Sequence, residues 1–382
     1  MKNATLMKHI TVSLFSALCL SACAGGVRTT ELSVIDLEAA MSTGRQLPDT
    51  FALNDIVEVT DIIPIETRSD ALIGWARIIH IGREHYYVAH EDKLSRIARD
   101  GRIASTISRQ GRGPGEYLML ATADVNEEAS TIRIFDLQGD KFITYDMDGT
   151  TIDESLLNRQ GIWIPEHIAA DHMVAKGHRE STHRLYITDR DMNIRQGFFP
   201  IDSTLSAFDR WGLTQQVAIG RSGDEALINT TRGDTLYRVT RLGELIPEAI
   251  LRKGRYQIPD EPLIPIFRDV DPTTTQYIHH ATVNSLGDHY FVEILMFGQA
   301  GGIWDKATGQ LLAYFDSRDG FDNLGFRFVF PSDGGEAHET RVSAIHFDDN
   351  RIAFVVDAIN AVGAIEGVQE DDNPVIVIAK LK

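Results

Sequence analysis

The richest group of potentially reactive side chains in this sequence lies on an apparent insertion between two strand-rich segments. It contains Arg268 and Asp269, which are followed by His279 and His280. Histidine and carboxylate side chains supply metal ligands and general acids or bases. A zinc site needs three protein ligands that converge, whereas adjacent histidines on a strand point to opposite faces. We therefore predict hydrogen-bonded loop residues that can contact a ligand, and no metal or cofactor.

A second candidate is the glycine-rich segment Arg109–Tyr117. Pro114 pushes the residue before it towards extended geometry, and the flanking glycines allow backbone shapes closed to other residues. Such a segment can cross between neighbouring structural units close to their common axis. Arg112 and Glu116 would then either face a central channel, where they would contact a ligand, or pair with each other inside a structural connector. The sequence has no nucleophile-elbow frame and no phosphate-binding Gly-Lys-Ser/Thr motif, so no catalytic residue is predicted.

The first 23 residues have the layout of a secretory signal peptide, with two lysines, a short apolar run and small residues before a cysteine. Leu20-Ser21-Ala22-Cys23 resembles the bacterial lipobox, in which the cysteine is acylated and becomes the new N-terminus. The apolar run is shorter than the roughly 20 residues that a membrane-spanning helix needs. We therefore predict a signal peptide over residues 1–22 and a lipoprotein that is attached to the membrane through Cys23.

Composition narrows the class of partner. The 382 residues include 37 basic and 55 acidic side chains, for a net charge of −18. This charge disfavours nucleic acid, whose binding depends on cations that neutralise phosphates. There are two cysteines; Cys19 leaves with the leader and Cys23 is the proposed lipid site. No disulfide and no cysteine catalysis is expected.

The elements that must position these side chains are short β-strands that recur. Lys93–Ile97 and its Asp-Gly turn at residues 100 and 101 reappear 48 positions later as Lys141–Tyr145 and the Asp-Gly turn at 148 and 149. Such turns suit two-residue hairpins, because glycine and aspartate tolerate positive φ. Four-stranded antiparallel units at this repeat length predict a β-propeller. Roughly 330 residues divided by about 55 per unit give six blades.

Ring closure is also predicted. The apolar run Pro374–Ala379 is typical of a buried strand, and Ile56–Glu66 precedes the first complete repeat. An N-terminal strand that pairs with the last blade would remove an exposed sheet edge. We therefore expect a lipidated tether over 23–50 and an all-β, six-bladed propeller over 51–382. An open β-sandwich or two small β-domains is the alternative.

Four stretches connect the chain to a known group. The chain resembles the bacterial six-bladed β-propeller lipoproteins, relatives of the NHL-repeat propellers. The resemblance rests on Gly-Arg-Gly-Pro-Gly-Glu-Tyr at 111–117, Ile-Pro-Ile-Glu at 63–66 with Leu-Ile-Gly at 72–74, Gly-Asp-Thr-Leu-Tyr at 233–237, and Asp-Asn-Pro-Val at 372–375. It covers essentially the whole mature chain. It implies the propeller fold, an envelope location and more than one acyl chain, palmitate included, on Cys23, but no catalytic residues.

The leading functional hypothesis is a non-catalytic, lipid-anchored binding or scaffold module of the cell envelope. Its partner would be a protein, a peptide or a glycan, and the module itself a monomer. Ala24 rather than aspartate follows the cysteine, which favours the outer membrane, with the domain facing the periplasm; exposure at the cell surface stays open.

The alternative is a metal-dependent hydrolase or lyase with its site in the propeller channel. That activity would require several carboxylates and histidines, such as Glu116, Asp269, His279 and His280, to converge on the axis.

Overall fold

The computed structural model describes residues 32–157, 161–259, 277–296, 298–317, 324–331 and 337–382. Residues Leu32–Lys382 form one compact unit. Six antiparallel sheets of four strands, one of them extended by a fifth, make a six-bladed β-propeller, as the sequence predicted. Among the described residues, no helix combines the length and the apolar character needed to cross a bilayer.

Strands and helices are numbered along the chain. Before the first blade come β1 (Ser33–Asp36), α1 (Leu37–Thr43) and β2 (Val57–Pro64). The first blade contains β3 (Ala76–Ile81), β4 (His85–His90), β5 (Lys93–Ala98) and β6 (Ile103–Ile107). The second contains β7 (Leu120–Asn126), β8 (Thr131–Asp136), β9 (Lys141–Asp146) and β10 (Thr151–Leu156). The third contains β11 (Ile162–Ile168), β12 (Met173–Gly177), β13 (His183–Thr188) and β14 (Ile194–Pro200).

Helix α2 (Ala207–Gln215) leads into the fourth blade, which contains β15 (Val217–Ser222), β16 (Glu225–Thr230), β17 (Thr235–Val239) and β18 (Leu245–Arg252). The fifth contains β19 (His280–Leu286), β20 (His289–Met296), β21 (Gly298–Asp305) and β22 (Leu311–Asp316). A separate hairpin, β23 (Phe326–Val329) and β24 (Glu339–Val342), precedes the sixth blade. That blade contains β25 (His346–Asp348), β26 (Arg351–Val356) and β27 (Val375–Leu381).

The ring is closed by its first long strand. β2 is the outermost strand of the sixth blade and pairs antiparallel with β27, from Val57 opposite Leu381 to Pro64 opposite Val375. The predicted closure is therefore confirmed. The pairing covers an edge of β27 that would otherwise offer free backbone groups to another chain.

The two ends of the ring differ in what they carry. Because the strands are antiparallel, the turns between the first and second strands of all blades lie at one end, which we name the turn face. The segments that lead from one blade to the next lie at the other end, which we name the connector face. The innermost strands, β3, β7, β11, β15, β19 and β25, surround the axis.

The Asp-Gly turns have the predicted backbone geometry. Gly101 and Gly149 adopt φ of +88° and +86°, a region that side-chain-bearing residues rarely occupy. At Gly101 the space is also restricted, because a Cβ would collide with the carbonyl oxygen of Pro64 in the closing strand. This turn therefore needs glycine for two separate reasons.

Part of the expected tether belongs to the folded unit. β1 adds to the fourth blade as a fifth, parallel strand beside β18, and α1 follows it. Ile35, Leu37 and Ala40 are buried against the fourth and fifth blades. Burial of these apolar side chains explains why the segment is structured from Ser33 onward.

Candidate functional site

The glycine-rich segment is built as a connector between the first and second blades. Its Glu116 carboxylate accepts a hydrogen bond from the Gly113 main-chain N–H at 2.7 Å. The Tyr117 hydroxyl is buried and donates to the Asp92 carbonyl oxygen at 2.7 Å. Arg112 is exposed, and no ion pair in the described part of the chain joins it to Glu116. The carboxylate therefore stabilises its own loop.

The two predicted histidines lie where the fifth blade begins, on the connector face. The Thr231 hydroxyl donates to the main-chain oxygen of His279 at 2.6 Å. Burial, reinforced by the charges of Lys176 and Lys253, lowers the pKa of His280 to about 4. His280 is therefore neutral at physiological pH. The other candidates of the sequence analysis, Cys23, Arg268 and Asp269, lie outside the described residues.

The required convergence for a metal-dependent enzyme is not seen in the part of the chain that the structure describes. No group of three or more histidine, cysteine, aspartate or glutamate side chains there is arranged to hold a metal ion. Neither of the two cavities described below is lined by Arg112, Glu116, His279 or His280.

A large cavity opens at the other end of the ring. This turn-face cavity has a volume of about 970 Å³ and lies over the first and second blades, with contributions from the third and sixth. Its lining is dominated by ionisable side chains: His80, Arg83, Glu84, His85, Arg96, Arg99, Asp124, Glu127, Glu128, Arg133, Arg190 and Arg351. Such a surface suits a ligand rich in hydrogen-bonding and charged groups rather than an apolar one.

Two arginines of the cavity are fixed largely by neutral partners. Arg99 donates to the Tyr86 hydroxyl and to the carbonyl oxygens of Gly82 and Arg83, and its guanidinium lies 4.4 Å from the centre of the Tyr86 ring. Arg133 donates to the carbonyl oxygen of Arg190 at 2.6 Å. Groups held in this way lose little side-chain entropy when a ligand binds.

The other charged groups of the cavity are mostly paired. Arg190 forms an ion pair with Asp124, and Arg351 forms one with Asp348. The Glu127 carboxylate accepts from the Arg83 main-chain N–H at 2.8 Å and so fixes the first-blade turn against the second blade. The cavity is thus rigid on its inner side. At its rim the Arg83 side chain is 83% exposed.

A smaller cavity of about 260 Å³ lies inside the ring, and we name it the channel cavity. Each of the six innermost strands contributes at least one polar residue to its lining or borders it with one: Arg77, Thr122, Glu166, Arg221, Asn284 and His346. Lys176 pairs with Glu166 at 2.9 Å. All six blades therefore contribute to the lining of this cavity.

Burial controls the charge state of this channel. It lowers the pKa of His346 to well below the usual histidine value, an effect strengthened by the nearby charge of Arg221. Burial also lowers the pKa of His80, which lines the turn-face cavity. It lowers the pKa of Arg77 and of Arg221 as well, but from so high a starting value that both guanidinium groups stay charged.

Sequence reasoning missed both cavities. Their residues are single polar side chains inside otherwise apolar strands, so no local motif identifies them. The available signal was the repeat itself: Arg77, Thr122 and Glu166 occupy the innermost strands of three successive blades. Aligning the repeats strand by strand would have placed these residues around one axis.

Comparisons with known proteins agree with the fold. The family described as "Domain of unknown function (DUF4934)" matches residues 32–380. Among curated proteins none matches. A crystal structure from Bacteroides fragilis NCTC 9343, of a protein described as exported, has a TM-score of 0.60 and 16% identity over 87% of this chain and 97% of that chain.

Two further solved structures are similar at lower scores. A member of the DUF4221 family from Bacteroides vulgatus has a TM-score of 0.47 and 10% identity, covering 86% of this chain and 99% of that chain. Virginiamycin B lyase from Staphylococcus aureus has a TM-score of 0.41 and 12% identity, covering 85% of this chain and 100% of that chain.

Proposed function

We propose that this chain, which belongs to the DUF4934 family, is a lipid-anchored, non-catalytic binding protein of the bacterial cell envelope. Its turn-face cavity would hold a polar segment of a partner protein. The observation that carries the proposal is the lining of that cavity, where twelve side chains are arginine, histidine, aspartate or glutamate. They offer fixed donors and acceptors of both charge signs, which complement a polypeptide segment with mixed charges.

The lining favours a protein segment over a glycan. Sugar rings are commonly held by stacking on exposed aromatic side chains. Among the described lining residues, the one aromatic ring other than histidine is Tyr87, which is 1% exposed. Trp75, which is 73% exposed, lies on the connector face, at the opposite end of the first blade.

The envelope location rests on the leader. The sequence Leu20-Ser21-Ala22-Cys23 after a short apolar run supports export and acylation of Cys23. More than one acyl chain would make the attachment stable. Labelled palmitate should therefore enter the wild-type protein and be absent from the Cys23→Ala variant, and equal labelling of both would contradict the anchor.

The binding site is tested by site-specific photo-crosslinking in intact cells. A photoreactive residue in place of Arg83 sits on the cavity rim, and one in place of Leu242 is the control. Leu242 is 86% exposed and lies on the same face, in the β17–β18 turn of the fourth blade. We expect a protease-sensitive adduct of defined mass at position 83 and none at position 242.

Two results would count against the proposal. Equal adducts at positions 83 and 242 would mean that contact is not specific to the cavity. An adduct at position 83 that resists protease but is released by glycosidase would mean that the partner is a glycan.

A further inference from the structure

Arg190 and Arg351 of the turn-face cavity have carboxylate partners, whereas two arginines of the channel cavity have none among the described residues. The guanidinium of Arg221 makes no hydrogen bond or ion pair with any described residue; its main-chain N–H donates to the Asn284 Oδ1 at 2.9 Å. The guanidinium of Arg77 donates to the carbonyl oxygen of Ala121 at 2.7 Å and has no carboxylate partner within the described ranges.

The nearby carboxylates are engaged elsewhere. Glu166 is paired with Lys176, and Asp348 is paired with Arg351. The charge of Asp348 is near enough to act on Arg221, yet the Asp348 carboxylate accepts its hydrogen bonds from Arg351 and from the Asp349 main-chain N–H. The channel therefore holds two positive charges whose counterions the described protein does not supply.

The charge of Arg221 affects residues of several other blades around the axis. It belongs to β15, and β15 contacts the innermost strand β25 across the ring as well as its neighbours β11 and β19. Its charge helps to lower the pKa of His80, His167 and His346, which belong to the first, third and sixth blades. One guanidinium thus lies close to residues of three other blades.

The Arg77 and Arg221 side chains are partly buried. Withdrawing a charge from water without a partner is unfavourable, because the lost hydration is not replaced. Methionine would fill the same space at lower cost. The cavity of about 260 Å³ has room for roughly eight water molecules at about 30 Å³ each, or for a small anion with fewer waters. An anion would supply the missing counter-charge.

We propose that the channel cavity is an anion-binding site that holds one carboxylate or similar oxyanion between Arg221 and Arg77. Asn284 and Thr122, which also line the cavity, supply neutral polar groups beside it. The site is separate from the turn-face cavity, so the proposal does not depend on the partner suggested above. The anion is a free small molecule or the terminal carboxylate of a peptide.

The test is isothermal titration of the purified full chain with inorganic phosphate and with acetate, in bis-tris chloride at constant ionic strength. Wild type is compared with Arg221→Met and with the matched control Arg241→Met. The control removes the same charge from a side chain that is 69% exposed in the β17–β18 turn and that lines neither cavity. We expect one anion per chain for wild type and for the control, and at least a tenfold loss of affinity for Arg221→Met.

Thermal unfolding separates a binding role from a structural one. Without phosphate, Arg221→Met should unfold at or above the wild-type temperature, because an unpaired, partly buried charge has been removed. Phosphate should raise the unfolding temperature of wild type and of Arg241→Met but not of Arg221→Met. The proposal is overturned if wild type binds neither anion, if Arg221→Met binds as tightly as wild type, or if phosphate stabilises all three proteins equally.

The source of the anion is decided by a further titration. Acetyl-triglycine with a free carboxylate is compared with its amide. Tighter binding of the free acid than of acetate identifies a peptide terminus as the ligand. Binding of phosphate and acetate without binding of the peptide acid identifies a free small anion. Either result supports an anion-binding site in the channel cavity.

Discussion

Replacing Asn373 by alanine should lower the free energy of unfolding by about 3 kcal/mol. Asn373 is 2% exposed and lies just before β27, where the last blade meets the chain that leads into the first. Its Oδ1 accepts from the Ile73 main-chain N–H at 2.8 Å. Its Nδ2 donates to the carbonyl oxygens of Glu66 at 2.8 Å and Ala71 at 2.9 Å. Three buried hydrogen bonds at about 1 kcal/mol each give this magnitude.

The effect is measured by equilibrium unfolding in urea, as a change in midpoint at unchanged slope. Asn373→Asp sharpens the test, because it keeps the acceptor for Ile73 but loses both donors, and should cost at least as much at neutral pH. Asn193→Ala is the control. Its side chain bonds Asp189 at 2.9 Å in an exposed turn, and its loss should cost less than about 1 kcal/mol. If Asn373→Ala lowers the free energy of unfolding no more than Asn193→Ala does, the three hydrogen bonds do not stabilise the junction between the last blade and the first.

Two further predictions follow from the turns and the buried histidines. Gly101→Ala should be clearly less stable than Gly367→Ala in thermal unfolding. Both glycines have φ near +85° to +88°. At Gly101 a Cβ would collide with the backbone of Pro64, whereas at Gly367 no atom lies within 4 Å of the Cβ position. Equal losses would show that the collision is relieved. Stability should also fall as pH drops below about 6.5, because burial lowers the pKa of His167 to about 3 and that of His346 well below its usual value. The unfolded chain then binds protons that the folded chain does not, so stability continues to fall towards pH 3. His167→Gln should therefore reduce the slope of the urea midpoint against pH. An unchanged slope would contradict the low pKa of His167.

Much of the fold followed from local sequence signals. The Asp-Gly turns at Gly101 and Gly149 and the apolar closing run at the C-terminus each mark one element, and their spacing counts the blades. By contrast, β1 was not foreseen, because four residues beside α1 carry too little periodicity. Their structure depends on burial of Ile35 and Leu37 against blades that are distant in sequence.

The candidate site was harder to predict, for a related physical reason. A glycine-rich segment around Glu116 stood out in the sequence, yet its composition reflects the backbone needs of a connector. Arg77 and Arg221 stand out only when the ring places them on one axis. Whether two side chains from different blades point to the same axis depends on the register of their strands, and a single sequence does not display that register.

The way the chain enters the fourth blade bears on how the ring responds to mechanical load. A pull transmitted along the chain to Leu32 reaches β1 and α1 before it reaches the closing strand β2. It is resisted there by the ladder with β18, by the ion pair of Asp36 with Arg252 at 2.9 Å, and by the two bonds of Arg45 with Asp316 at 2.9 and 2.5 Å. Tension applied from the N-terminal side would therefore load the fifth strand of one blade first, and the closing pair of β2 with β27 only after that strand has detached.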